Sequence, residues 1–152
     1  MAVVSARRIV TGLAPDGRSC VLADAPLARG PGEISTTIWQ APRLPVDEPA
    51  DVDLPPAPFS FDTIHSGGVA FSICEFPADF SADFHATDTV DFITMLEGEL
   101  VLRTESGEVT LRAGDVAVDR GIVHGWRNDS GKPARATIVL VPARPLGAGR
   151  TV

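Results

Sequence analysis

The sequence predicts an all-β protein in which short antiparallel strands close into a sandwich or barrel. Glycine (14 residues) and proline (13 residues) are frequent and tyrosine is absent, a composition that favours short strands and turns. From Val69 onward, strand-length segments follow one another with glycine-containing turns between them. No alternation of strands with helices appears, which excludes a parallel doubly wound sheet. A chain of 152 residues fits one domain with one core.

The N-terminal part is expected to contain three strands and an irregular arm. Residues 7–13 and 19–24 flank the turn formers at Pro15 to Arg18 and predict a β-hairpin. Residues 35–40 are rich in β-formers and predict a third strand. Residues 41–58 are rich in proline, which predicts an irregular arm.

Seven further strands are predicted in succession, and they define the barrel. We divide the chain into N-terminal strands plus proline-rich arm (1–60), which pack on the barrel or on a dimer partner, the barrel itself (61–145) and a flexible tail (146–152). Turn or bulge signals separate the barrel strands, with the spacing of an antiparallel barrel. The predicted barrel strands are residues 69–76, 91–96, 99–104, 108–113, 115–120, 124–128 and 134–141.

Charge and hydropathy exclude several kinds of partner. The net charge is −7, and Lys132 is the only lysine beside scattered arginines, so no basic stripe is present to bind nucleic acid. No run of about 18 apolar residues occurs, which predicts a protein without a membrane span. We therefore expect a soluble cytoplasmic protein. Cys20 and Cys74 form no CxxC pair and are predicted to be free thiols.

Two segments carry the residues that point to chemistry. The first reads His85-x-Thr87-Asp88-Thr89-x-Asp91 and continues to Gly98. The second runs from Gly114 through Gly121 and His124 to Asn128.

These segments resemble the two motifs of the cupin superfamily, over about residues 67 to 142. Counting back from Gly98 places Asp91 at the position of the family's glutamate, Thr87 at its second histidine and His85 at its first. The resemblance implies a double-stranded β-helix, or jelly roll, with extra N-terminal strands. It also implies that His85, Asp91 and His124 are metal ligands and catalytic residues. Thr87 stands where the family has a fourth ligand, so the metal motif is degenerate.

Strand geometry limits how these three residues can bind one metal ion. Six residues of straight strand cover roughly 20 Å, whereas ligands of one ion lie within about 3 Å of each other. The chain must therefore reverse between His85 and Asp91, and residues 86–89 are of the types that turn tightly. We expect a hairpin-like corner there, with His124 arriving from another strand.

Two histidines and one carboxylate with open positions suit Fe, Zn, Mn or Ni, and a metal-free barrel is an equal alternative. The resemblance to cupins implies a lyase (decarboxylase or dehydratase) or isomerase that acts on a small organic acid or polyketide-like substrate. An Fe(II) dioxygenase and a metal-free small-molecule-binding cupin without catalysis are the alternatives. A homodimer formed through the N-terminal segment is also expected. The residues predicted to line the pocket are Thr87, Ile93, Met95, Trp126 and Asn128.

Overall fold

The computed structural model describes residues 6–144, which form twelve strands and one short helix. The predicted tail at 146–152 lies outside the described residues. The elements are β1 (Arg7–Leu13), β2 (Ser19–Pro26), β3 (Ser35–Ala41), β4 (Ala57–Pro58), α1 (Asp62–His65), β5 (Val69–Phe76), β6 (Ser81–His85), β7 (Thr89–Glu97), β8 (Glu99–Thr104), β9 (Gly107–Arg112), β10 (Val116–Asp119), β11 (His124–Arg127) and β12 (Ala134–Pro142).

The strands form two large sheets and a separate hairpin. One sheet has six strands in the order β10-β7-β12-β5-β3-β4, and the other has four in the order β6-β11-β8-β9. All of their pairings are antiparallel. The all-β jelly-roll fold predicted from the sequence is confirmed.

The main core lies between the two sheets. Met95 on β7 and Leu100 on β8 are each 1% exposed, although they belong to different sheets. Burial of such apolar surface is the main force that closes the barrel. The buried residues of this core are Cys74, Phe76, Ile93, Met95, Leu100, Leu111, Trp126, Ala134 and Ala136.

All seven predicted barrel strands are present, with ends that differ by at most a few residues, and so are the predicted hairpin and third strand. β6, β4 and the single-turn helix α1 were not predicted. β6 has no clean alternation of apolar and polar residues because it is an edge strand with mostly exposed side chains. Strand prediction depends on that alternation.

The corner between His85 and Asp91 differs from the predicted hairpin. β6 ends at His85 in the four-stranded sheet, and β7 begins at Thr89 in the six-stranded sheet. The chain thus changes direction by crossing between sheets, and the two strands do not pair. His85 and Asp91 are therefore carried by different sheets instead of by the two strands of one hairpin.

The N-terminal hairpin is attached to the proline-rich arm of the same chain. Arg8 is buried, and its guanidinium lies 2.7 Å from a carboxylate oxygen of Asp53 and donates to the Ile38 carbonyl at 2.8 Å. The Leu13 amide donates to the Ala50 carbonyl. Because β3 pairs with β5, the six-stranded sheet spans the boundary drawn at residue 60. The division into parts at that residue stays a prediction, as does packing on a partner.

Gly98, between β7 and β8, has a backbone conformation that side chains disfavour. Its φ is +73°, and a Cβ there would lie 2.8 Å from the Pro133 carbonyl oxygen and 2.9 Å from the Ala134 Cα. Both neighbours are backbone atoms, so neither can move cheaply. This close approach explains why residue 98, the position from which the first motif was counted back, is a glycine.

Within residues 6–144, no helix is long and apolar enough to cross a membrane.

Asn128 was predicted to line the pocket, and the structure gives it a different position. It follows β11 at the end away from His124, and its side-chain amide donates to the carbonyls of Pro77 (2.9 Å) and Lys132 (2.8 Å). Its side-chain oxygen accepts from the Ser130 amide and hydroxyl at 3.1 and 2.8 Å. Because backbone and loop groups use its hydrogen-bonding atoms, Asn128 holds two loops together instead of facing the histidines.

The substitution Asn128→Ala is therefore expected to destabilise the fold. It removes these hydrogen bonds of a buried side chain, each worth about 1 kcal/mol, and should lower the free energy of unfolding by about 2–3 kcal/mol. Urea unfolding followed by circular dichroism measures this. Asp129→Ala is the control, because the exposed ion pair of Asp129 with Arg127 contributes at most about 1 kcal/mol. Equal effects of the two substitutions would contradict the role of Asn128.

Candidate active site

His85 and His124 meet across neighbouring strands of the four-stranded sheet. They are Cα partners in the antiparallel pairing of β6 with β11. Directly opposed side chains point to the same face of a sheet. Their ring centroids lie 4.5 Å apart with an interplanar angle of 54°. The structure therefore brings two of the three predicted site residues into contact.

Backbone carbonyls fix the orientation of both imidazoles. Nδ1 of His85 lies 2.7 Å from the Asp83 carbonyl oxygen, and Nδ1 of His124 lies 2.8 Å from that of Ile122. A carbonyl oxygen only accepts hydrogen bonds, so each Nδ1 carries the proton and donates. In the neutral ring, Nε2 is then the free base, ready for a proton or an electrophile.

Asp119 is a site residue that the sequence analysis missed. It is the last residue of β10 and is 3% exposed. Its Oδ2 lies 3.0 Å from Nδ1 of His124, close enough for a strong charge interaction, although Nδ1–H is directed at the Ile122 carbonyl. Its other oxygen accepts a hydrogen bond from the Gly121 amide at 3.1 Å. Alternation with the exposed Val116 and Val118 was the available signal, since it points Asp119 inward.

The pKa of His124 is raised above its ordinary value. Burial alone would lower this pKa, because it disfavours the charged imidazolium. The close contact of Nδ1 with the Asp119 carboxylate, the Ile122 carbonyl and the negative charges of Asp119 and Asp91 together outweigh burial. The surroundings of His124 thus favour its protonated form.

Asp91 occupies a buried position in front of Asp119. The two are Cα partners in the pairing of β7 with β10, so two carboxyl groups face each other on the inner face of the six-stranded sheet. Burial raises the pKa of Asp91 to about 6, the hydrogen bond with Thr89 opposes this, and the charge of Asp119 adds to it. Oδ1 of Asp91 is buried without a hydrogen-bond partner among the described residues. Such an atom marks a carboxyl group held at a cost in stability.

Thr87 belongs to the corner between the sheets. Its hydroxyl lies 2.7 Å from that of Thr89, and both side chains are buried. Gly121 packs against this corner with a φ of +72°, and a Cβ there would meet the carbonyl oxygens of Thr87 and Thr89 at 2.6 and 2.7 Å. The motif glycine therefore allows the segment before His124 to approach the segment before Asp91.

The remaining predicted pocket residues lie in or beside the core. Ile93 and Met95 are 3% and 1% exposed and belong to the main core. They fill the interior of the barrel, whereas the sequence predicted that they line the wall of a pocket. Trp126 also belongs to the core, and its ring lies edge-on to His124 with centroids 5.7 Å apart. Trp126 is thus the predicted lining residue that touches a site histidine.

The donor set meets only part of what a bound metal ion requires. Both histidines leave Nε2 free with Nδ1 hydrogen-bonded, which is how histidine ligands are usually held. Across residues 6–144, however, no three or more His, Cys, Asp or Glu side chains are grouped so as to hold one ion. As the side chains stand, the two imidazoles lack the third ligand that a stable site needs. The three-residue metal site stays a prediction, and no chemical step is derived through it.

The fold and the site together define an antiparallel double-stranded β-helix with a histidine pair and inward carboxylates. The Cupin domain profile matches residues 72–141, the stretch that contains both motifs. Residues 72–141 therefore form a cupin domain, and this part of the chain belongs to the cupin superfamily.

Curated relatives come from fungi and are longer than this chain. Oryzines biosynthesis cluster protein J of Aspergillus oryzae is 42% identical over 82 residues, which is 53% of this chain and 46% of the relative. The cupin-domain-containing oxidoreductase srdB of Neurospora crassa is 34% identical, over 72% of this chain and 57% of its own length. The cupin-domain-containing oxidoreductase virC of Hypocrea virens is 32% identical, over 74% and 61%. The chain thus spans about half to three-fifths of these relatives.

Among solved structures, the TT1209 protein of Thermus thermophilus superimposes with a TM-score of 0.52 and 22% identity. The match covers 77% of this chain and 91% of that one. At this identity the likeness concerns the fold alone.

The buried Asp91 predicts an unusual dependence of stability on pH. A group whose pKa is 3.8 when unfolded and about 6 when folded binds more protons in the folded state between these values. Its contribution to the free energy of unfolding is therefore favourable at low pH and is lost as pH rises towards 6. The substitution Asp91→Asn removes the charge and should stabilise the protein at pH 7.5 by about 1–3 kcal/mol, with no gain near pH 3.5.

Urea unfolding at a series of pH values, with EDTA present, measures this effect. The control is Asp83→Asn, which makes the same chemical change at an exposed position on β6. A loss of stability in Asp91→Asn that is equal at every pH would contradict the cost assigned to the buried charge.

Proposed function

We propose that this cupin is an enzyme that transfers a proton on a small organic acid or enol, as a lyase or isomerase. The observation that carries the proposal is the histidine pair. Two imidazoles lie with ring centroids 4.5 Å apart, and each holds its proton on Nδ1. Both Nε2 atoms are thereby available to the same bound molecule.

The pair supplies a base and an acid when one ring is neutral and the other protonated. Nε2 of neutral His85 removes a proton from the carbon beside a carbonyl group, and that C–H electron pair moves into the new carbon–carbon double bond. The carbonyl oxygen takes a proton from Nε2 of protonated His124, the form that its surroundings favour, so that an enol forms and the total charge is unchanged. Each such transfer by a positioned side chain contributes about 10²- to 10⁴-fold in rate.

Asp119 has a positioning role in this scheme. In protonated His124, Nδ1 of the charged ring lies 3.0 Å from the Asp119 carboxylate. A carboxylate at Nδ1 stabilises this imidazolium and holds the ring with Nε2–H free to donate. Loss of β-hydroxyl as water, or of carboxylate as CO₂, requires the same pair of proton positions.

The relatives support an enzyme that acts on small molecules. One is named for a biosynthesis cluster and two are named oxidoreductases. The substrate class, a small organic acid or polyketide-like compound, is part of the proposal and comes from the resemblance to cupins.

An Fe(II)-dependent dioxygenase is the second candidate, and the oxidoreductase names of srdB and virC favour it. It requires a third ligand, which Asp91 or Asp119 would provide after a change of side-chain position. Oxygen uptake that depends on added ferrous ion would select this candidate over proton transfer.

The proton-transfer proposal predicts enzyme-catalysed deuterium exchange. A panel of β-keto acids, β-hydroxy acids and aromatic polyketide fragments is incubated with the protein in D₂O and followed by NMR. We expect incorporation of deuterium beside a carbonyl group of at least one compound. His124→Phe should lower the exchange rate at least about 100-fold, and Asp119→Asn about 10-fold.

His65→Phe is the matched control, because His65 is exposed on α1 and stacks on Phe61 outside the site. It should retain the wild-type rate. Saturable binding of panel compounds without exchange would instead support the metal-free binding cupin and refute the enzyme.

A second prediction separates proton transfer from metal chemistry. Protein treated with chelator and desalted should retain its deuterium exchange rate within about twofold, since the imidazoles alone move the proton. Metal analysis of the same sample measures how much metal remains bound after this treatment. Loss of exchange on chelation and recovery with one divalent ion would contradict the metal-free scheme and restore the ligand set His85, Asp91 and His124.

A further inference from the structure

The inner face of the four-stranded sheet carries an apolar row beside the histidines. Trp126 on β11 is the Cα partner of Leu102 on β8, and Leu102 is the partner of Val109 on β9. Direct partners point to the same face of a sheet, and Trp126 belongs to the core, so all three side chains point inward. The Trp126 ring lies edge-on to His124. The row therefore begins at the candidate active site and ends at β9, the edge of the sheet.

Exposure increases along this row, although its side chains all point inward. Trp126 is 9% exposed, Leu102 is half-buried and Val109 is 51% exposed. On the same strand as Val109, the inward Leu111 is only 7% exposed. The inner faces of two packed sheets normally cover each other. The exposure of Val109 therefore shows that the described part of the other sheet does not cover the row at this edge.

The connection between β9 and β10 explains why the barrel is open here. The two strands follow each other in the chain, but β9 pairs with β8 in one sheet and β10 pairs with β7 in the other. The turn between them is fixed where the Gly114 amide donates to the Met95 carbonyl at 2.9 Å. At their other ends, Gly107 opens β9 in the row of His124, and Asp119 ends β10 at 3.0 Å from that histidine. We call the space between β9 and β10 the lateral cleft.

The walls of the lateral cleft are apolar, and one of them is formed by a small residue. Leu102 and Val109 lie on the side of the four-stranded sheet. On the other side, Ala117 of β10 points inward, because it is the Cα partner of the core residue Ile93. Packed sheets lie about 10 Å apart, and one methyl group fills little of that distance. A flat group about 3.5 Å thick fits between the walls.

The outer face of the same strands is charged, which makes the apolar character of the cleft specific. Arg103 pairs with Glu108 at 3.2 Å, and Arg112 pairs with Glu99 at 3.1 Å. A strand position that faces water is expected to hold a polar side chain, whereas the exposed inward position on β9 holds Val109. Contact with an apolar group removes such a surface from water and is favourable. The chemistry of the walls therefore fits an apolar part of a bound molecule.

The length of the row indicates the size of that part. Neighbouring strands lie about 4.8 Å apart, so Val109 and Trp126 are separated by about 10 Å across β8. An aromatic ring with a short acyl chain is of this length. With its ring against Leu102 and Val109, such a molecule brings its carbonyl group next to His124.

We propose that the lateral cleft binds an aromatic ring of the substrate and that Leu102, Val109 and Ala117 determine this specificity. The substrate class is an aryl β-keto or β-hydroxy acid, whose carbonyl or hydroxyl group lies beside the histidines. The inference rests on the proposed function, because it names the substrate class of the same histidine site.

Calorimetric titration of the full chain with two β-keto acids tests the cleft. Benzoylacetate carries a phenyl ring where acetoacetate carries a methyl group, and the two acids are otherwise identical. We expect benzoylacetate to bind with a dissociation constant below about 1 mM and at least about 10-fold more tightly than acetoacetate.

Two substitutions in the walls should remove this preference. Val109→Asp places a charge on the wall and should bring the ratio of the two dissociation constants to about 1. Ala117→Phe fills the cleft and should weaken benzoylacetate binding at least about 10-fold, while acetoacetate binding changes by less than about 3-fold. The matched controls are Thr110→Asp and Val118→Phe, which introduce the same residues at the next, outward position of each strand. Both controls should keep the wild-type ratio.

If Ala117→Phe fails to fold by circular dichroism, Ala117→Val replaces it and should weaken benzoylacetate binding about 3-fold. Equal affinities of the wild type for the two acids, or no binding of benzoylacetate at about 10 mM, would overturn the inference. A wild-type ratio in Val109→Asp would overturn it as well. Ring-dependent binding without deuterium exchange would refute the proposed enzyme and support the cleft, and exchange without a preference for the ring would do the reverse.

Discussion

The pairing of β6 with β11 is the constraint on which the candidate site depends. Its register sets His85 opposite His124, and each Nδ1 finds a backbone carbonyl two residues earlier in its own chain segment. A shift of one residue in this register would turn one imidazole to the outer face. The site therefore follows from backbone hydrogen bonds, and β6, a short edge strand, is the element whose position matters most.

The second constraint is the pair of inward carboxyl groups. The register of β7 with β10 sets Asp91 opposite Asp119, where like charges repel and burial disfavours both. Asp119 is compensated by the nearby ring of His124 and by the Gly121 amide, although its Oδ2, like Oδ1 of Asp91, has no hydrogen-bond partner among the described residues. A sequence optimised only for stability would hold an apolar residue at 91. The retained carboxyl group favours a functional role for this end of the barrel.

The sequence predicted the strands well because most of them alternate clearly or are bounded by glycine. It also predicted that His85 and His124 belong to one site, through the spacing of the cupin motifs. The sequence did not predict the features that depend on how separate strands come together, because the spacing of residues along the chain does not describe those contacts. The residues between His85 and Asp91 cross between sheets instead of forming a hairpin, and Asp119 lies next to His124 only because β10 and β11 come together in the barrel. Asn128 matched the motif, but its hydrogen bonds assign it to the loops.

The outward face of the six-stranded sheet and the candidate site are connected through the strands β7 and β10, which they share. On β7, Asp91 points inward and Phe92 outward, and on β10, Asp119 points inward and Val118 outward. β10 is a four-residue edge strand whose partner in the sheet is β7, and such an edge opens more easily than a central strand. Because Asp119 is the last residue of this strand and its Oδ2 lies 3.0 Å from Nδ1 of His124, opening of the edge would move the carboxylate away from the imidazole.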